Sequence, residues 1–154
     1  MKNEFMSRAI TLSIESVYKG GGPFGSLIVK DNKIISEGFN QVPSANDPTA
    51  PGEIVAIRNS CKILNSFSLK GCDLYTSCEP CPMCMSAIYW ARIDNVYYAN
   101  TRDDSKKIDF DDSLIYEQLT KSIKERKIRM TQLMRNEALK AFELWDKKTD
   151  KIKY

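Results

Sequence analysis

Apolar residues recur at helical spacing in the first segment, at Met6, Ile10, Ile14 and Val17, and predict an amphipathic helix. Gly20, Gly21, Gly22 and Pro23 end it. Two strand-like stretches follow, Phe24 to Lys30 and Lys33 to Phe39, joined by the turn-forming pair Asp31 and Asn32. After the loop QVPSANDPTAP, a helix is expected to start at Pro51 with Ala50 as its cap, and Ile54, Ala56, Ile57 and Leu64 give it an apolar face. Asp73 to Ser77 reads as a strand. A helix from Pro82 carries Met85, Ile88, Tyr89 and Ala91, and Asn95 to Ala99 is a further strand. A polar loop, a helix around Leu114 to Leu119, a short strand near Ile128 to Thr131 and a last helix from Arg135 to Trp145 complete the chain. Strands alternating with helices predict a layered α/β domain with helices packed on a sheet, antiparallel in the first hairpin and parallel where a helix intervenes.

The length of 154 residues suits one domain, residues 1–154. No apolar run is long enough to span a bilayer and the charged N-terminal stretch does not read as a signal peptide, so the expected location is the cytoplasm, with no membrane partner. The net charge of +3 does not argue for nucleic acid. The lysines and arginines after residue 120 alternate with Glu125, Glu137, Glu143 and Asp146 and read as a solvated face. GGGPFG lacks the context of a phosphate loop and reads as a turn.

The chain has five cysteines and no histidine. An odd cysteine count favours metal binding or buried thiols over a disulfide framework. With Pro82 as the first helical residue, Cys81 is the cap and Cys84 lies in the first turn, both sulfurs on one face. The amides and dipole of a helix start favour thiolate there, and two thiolates make half of a zinc site. A redox pair, a structural metal and plain buried cysteines all remain open on this spacing alone. Cys61 and Cys72 read as small core residues. Glu53 falls in the first turn of the preceding helix, where the dipole alone accommodates a carboxylate.

Taken together, DPTAPGE and SCEPCPMC resemble the zinc-deaminase signature, His-x-Glu followed by Pro-Cys-x-x-Cys. GGPFGSLIVKD, EIVAIRNSCK, LYTSCEPCPMC, AIYWAR and FDDSLIY extend the resemblance over nearly the whole chain, to the bacterial guanine deaminases of the cytidine-deaminase superfamily rather than their tRNA adenosine deaminase cousins. The resemblance implies a three-layer α/β/α fold with a central mixed sheet, and a zinc ion held in part by Cys81 and Cys84. It implies that Glu53 shuttles protons and that Asn40 contacts a purine base. Asp112 would assist in substrate binding and proton transfer. It also implies a homodimer in which a C-terminal segment, about residues 133–154, is exchanged so that Tyr154 reaches the partner's site. The implied reaction converts guanine or a related aminated heterocycle to its oxo product and ammonia.

The pattern breaks at one ligand. Pro51 stands where the signature has histidine, and Gly52 where an alanine is usual. No imidazole exists elsewhere in the chain, or in a second identical copy, to replace it. Three explanations follow: a metal-free purine-binding protein on the deaminase fold, a site completed by Cys78, Glu79 or Glu53, or a working deaminase with an altered loop. Reduced or lost hydrolysis is the leading expectation, with an enzyme acting on tRNA as the more distant alternative.

Overall fold

The computed structural model describes residues 1–154, which form two compact units, Met1–Asp112 and Ser113–Tyr154. The first unit contains a four-stranded sheet of β1 (Gly25–Lys30), β2 (Lys33–Phe39), β3 (Cys72–Cys78) and β4 (Asn95–Asn100) in the order β2-β1-β3-β4. β1 pairs antiparallel with β2 and β3, and β3 pairs parallel with β4, giving the expected mixed sheet. Asp31 and Asn32, both at positive φ (48° and 57°), make the tight turn between β1 and β2.

Helix α1 (Lys2–Tyr18) covers one face of the sheet, and α3 (Gly52–Ile63) with α4 (Pro82–Ala91) covers the other. Strand alternation divides the core accordingly. Leu27, Val29 and Tyr75 point to Ala9 and Leu12 of α1, while Ile28, Cys72 and Leu74 point to Ala56, Ile57, Ile88 and Ala91. Burial on both faces is what this layered architecture requires.

The face of α1 differs from its expected stripe. The helix buries Ala9, Leu12, Ser13 and Ser16, whereas Ile10, Ile14 and Val17 are 40–52% exposed. Small residues win the inner face because the helix backbone lies almost on the sheet. A Cβ on Gly25 would sit 2.4 Å from the Ser13 nitrogen and 2.6 Å from the Ala9 carbonyl oxygen. Tyr89, expected on the apolar face of α4, is exposed, while Met85 is half-buried and Ile88 and Ala91 are buried as expected. Leu64 falls at the C-cap of α3, half-buried against the core.

Helix α3 approaches the sheet by the same device as α1. Ser36 on β2 donates to the Ala56 carbonyl at 2.7 Å and pairs with Ser60 at 2.6 Å. A Cβ on Gly38 would meet the Gly52 oxygen at 2.3 Å and the Ala56 nitrogen at 2.5 Å, both backbone atoms. Gly38 therefore sets how closely the start of α3, and with it Glu53, lies against the sheet. Gly38→Ala is expected to destabilise the fold by about 1–3 kcal/mol in chemical denaturation, the ordinary cost of overpacking against backbone that cannot yield.

Two short helices occupy stretches expected as loops: α2 (Val42–Ala45) and α5 (Arg102–Lys106), the latter started by a capping box between Thr101 and Asp104. In the second unit, α6 (Ser113–Thr120) and α7 (Arg135–Lys147) match the two expected helices, with a single 3₁₀ turn at Ile123–Glu125. The strand expected near Ile128 to Thr131 does not form. Ile128 and Met130 are 79% and 56% exposed, and an extended segment without a neighbouring edge has no ladder to join. No residue of the second unit is buried. No helix is long and apolar enough to cross a membrane.

Candidate active site

β2, β3 and β4 run in the same direction, so their carboxyl ends share one edge of the sheet. Asn40 follows β2, Glu79 and Cys81 follow β3, and Thr101 and Arg102 follow β4. The carboxyl edge of an α/β sheet is where such folds place ligand chemistry. The Gln41 amide donates to the Ala50 carbonyl at 2.9 Å and closes the loop between β2 and α3, bringing Pro51 back beside Asn40.

Two helices start at this edge with the same backbone geometry. Cys81 is the N-cap of α4 (φ −66°, ψ 168°) and Pro51 is the N-cap of α3 (φ −67°, ψ 165°). The expectation for Cys81 holds. For α3 the cap is one residue later than expected, because Pro51 keeps extended ψ while its carbonyl accepts the first helical bond from Val55.

The sulfurs of Cys81 and Cys84 are 3.5 Å apart, Cys81 half-buried and Cys84 1% exposed. The Cys84 side chain and the amides of Cys84 and Met83 pull the Cys81 thiol down to about 6. Cys84 is pushed well up, because its S–H serves Cys81 and because it is buried.

Glu53 is 4% exposed, and the Thr76 hydroxyl donates to its carboxylate at 3.4 Å. Desolvation pushes its carboxyl up to about 7, although its own amide, Cys84 and Thr76 work in the other direction. Both protonation states are thus accessible at neutral pH, as a proton carrier needs.

Asn40 is buried. Its amide donates to the Phe24 carbonyl at 3.0 Å and its Oδ1 accepts from the Val42 amide at 3.1 Å, which fixes the side chain in one orientation. The Phe24 ring packs edge-on to Phe110 at 4.9 Å. Asp112 pairs with Arg102 at 3.5 Å, and its charge reaches the Cys81 sulfur. Tyr154 belongs to the second unit, where it is exposed.

Thr76 and Arg102 were not singled out from the sequence. Strand alternation could have found Thr76, since residues 72, 74, 76 and 78 share the face turned to α3. Nothing local marks Arg102, whose amide also donates to the Glu79 carboxylate at 3.0 Å.

The donor set does not complete a zinc site. Cys81 and Cys84 supply two thiols, but no group of three His, Cys, Asp or Glu side chains converges to hold a metal ion. Of the three possible substitutes, Cys78 turns its sulfur to the Thr101 carbonyl at 3.6 Å, Glu79 accepts from Arg102, and Glu53 faces Thr76 and Cys84. Cys78 and Glu79 are engaged elsewhere, whereas Glu53 lies against Cys84, beside the two thiols.

A sheet ordered 2-1-3-4, with a buried glutamate at one helix start and a Cys-x-x-Cys at the next, defines a deaminase-type protein. Residues 1–100 match the cytidine and deoxycytidylate deaminase zinc-binding region, and the chain belongs to that family. Within it, the chain is 50% identical to the guanine deaminase of Bacillus subtilis over 151 residues, 97% of each chain. The X-ray structure of that guanine deaminase superposes with a TM-score of 0.96 at 49% identity, covering 99% of this chain and 98% of its own. The tRNA-specific adenosine deaminase of Aquifex aeolicus is 40% identical over 98 residues, 64% of this chain and 65% of its own. The protein is guanine-deaminase-like, and the tRNA deaminases are the more distant relatives.

Proposed function

We propose that this chain binds guanine or a related aminated purine at the carboxyl edge of its sheet, and that its hydrolytic deamination is strongly reduced because the metal ligand set stops at two thiols. The observation that carries this reading is the pairing of a buried Glu53, poised near neutrality, with a helix cap at Pro51 that offers no donor.

Deamination adds water to the amino-bearing carbon and expels ammonia. Glu53 can hold the proton that a ring nitrogen and the leaving nitrogen need. The oriented amide of Asn40 can read the purine edge, and Asp112, steadied by Arg102, assists at the rim. What is missing is the concentrated positive charge that makes water a nucleophile at neutral pH. The same geometry suits a binder that releases its purine unchanged, and the two outcomes are separable by assay.

Calorimetry with guanine and xanthine, run beside an ammonia assay, tests this reading. Saturable binding with little or no ammonia is the expected result. Asn40→Ala is expected to weaken binding about tenfold, the value of one buried hydrogen bond. No binding of either base would reject the purine site.

The partner in this proposal is a second copy. The second unit leaves Leu133, Phe142, Leu144 and Trp145 44–78% exposed, large apolar side chains of the kind that mark an interaction surface. An exchange of about residues 133–154 between two subunits would cover it and would carry Tyr154 to the partner's site. Light scattering is expected to give a dimer for the full chain. A stop after Thr131 is expected to leave a monomer, or an aggregate, with weakened purine binding.

A further inference from the structure

We propose that Cys81 and Cys84 form a reversible dithiol–disulfide couple that reacts with low-molecular-weight disulfides. The inference concerns sulfur chemistry and does not depend on which purine the chain binds. It follows from the missing third ligand: two thiols without a metal to hold them form a vicinal pair.

Four features of the geometry fit. The sulfurs are 3.5 Å apart, so side-chain rotation closes most of the gap to a bond of about 2 Å, and residues three apart in a helix have Cα atoms within the disulfide range. Access is asymmetric: Cys81 is half-buried and can meet an outside disulfide, whereas Cys84 is 1% exposed and can meet only Cys81. The amides of Met83 and Cys84 face the Cys81 sulfur and orient it beside Cys84. The nearest other cysteine in sequence, Cys78, is buried and turned to the Thr101 carbonyl, which leaves Cys84 as the resolving sulfur.

The chemistry balances with glutathione disulfide as oxidant. The Cys81 thiolate attacks one sulfur of the disulfide, the glutathione S–S bond breaks, and one glutathione leaves as thiolate and takes up a proton. Cys84 then attacks the Cys81 sulfur of the mixed disulfide, its proton passing to the second departing glutathione. The two protein thiols are oxidised by two electrons and the glutathione disulfide is reduced to two thiols.

The test treats the full chain with glutathione disulfide, alkylates the remaining thiols, cleaves with trypsin after Lys70 and Arg92, and fragments the peptide of residues 71–92 to assign each alkyl group to Cys72, Cys78, Cys81 or Cys84. The expected result is a peptide with no alkyl group on Cys81 or Cys84 and an internal disulfide that dithiothreitol reverses. Cys84→Ser is expected to stop at a stable mixed disulfide on Cys81. Alkyl groups on both Cys81 and Cys84 after excess oxidant, whether from unreactive thiols or from sulfurs shielded by bound metal, would overturn the inference. So would a disulfide joining any other pair. The unsubstituted chain decides the matter even where the variant fails to fold.

Discussion

Replacing Pro51 with histidine is expected to raise the zinc content to near one per chain and guanine deamination by at least about 10²-fold. Pro51 caps α3 at φ −67°, ψ 165°, a conformation open to any L-residue, and its nitrogen donates nothing that histidine would forfeit. The cap of α4 carries Cys81 in the same backbone geometry, so the two helix starts already stand as a ligand-bearing pair with one ligand missing. Changes to the partners of metal ligands alone typically alter affinity or activity 10–100-fold, and a missing ligand costs more. Gly52 is a secondary obstacle. A Cβ there would lie 3.1 Å from the Phe24 oxygen, so Pro51→His with Gly52→Ala asks for a shift of a few tenths of an ångström. Zinc by elemental analysis and ammonia release from guanine check the prediction. Restored zinc without restored turnover would place the lesion elsewhere in the site.

Glu53→Gln in the metal-free chain is expected to add up to about 3 kcal/mol of stability above pH 7 and to flatten the stability profile between pH 4.5 and 7. The native carboxyl titrates at about 7 against an ordinary 4.5, because burial penalises its charged form. Below pH 4.5 it is protonated in both folded and unfolded chains and exerts no effect. As pH rises toward 7 the unfolded chain loses this proton first, so stability falls, by about 2 kcal/mol at pH 6 and about 3 at pH 7.5. Cys81 works in the opposite sense. Its folded value lies below the ordinary 9.0, so its contribution grows from about pH 6 upward. The difference between the two chains at pH 5 to 6 therefore isolates Glu53. Urea unfolding across that range is the check, and equal slopes in both chains would mean that the carboxylate is better solvated than its burial implies.

The positions that sequence reading found in this site are those dictated by local chemistry. Pro82 starts a helix, so Cys81 must cap it and Cys84 must share its face. Glu53 lies in the first turn of a helix whose start is marked by proline, and the Asp31–Asn32 turn requires the positive φ it shows. What stayed hidden depends on how closely layers pack. The inner face of α1 is built from Ala9, Ser13 and Ser16 because Gly25 lets backbone meet backbone, and a search for large apolar residues finds the opposite face. Thr76 matters only because Gly38 lets α3 bring Glu53 within reach of β3. Arg102 meets Asp112 through a helix of five residues, too short to leave a periodic pattern. The strand expected at 128–131 shows the converse: strand-like composition without an edge to pair with yields no strand.

Zinc stoichiometry of the unaltered chain, freed of any affinity-tag histidines and prepared without chelator, tests the central claim most directly. An incomplete ligand set predicts far less than one zinc per chain, with purine binding intact. Near one zinc per chain, lost together with deamination on dialysis against a chelator, would show that two thiols and an unrecognised donor suffice and would contradict the account.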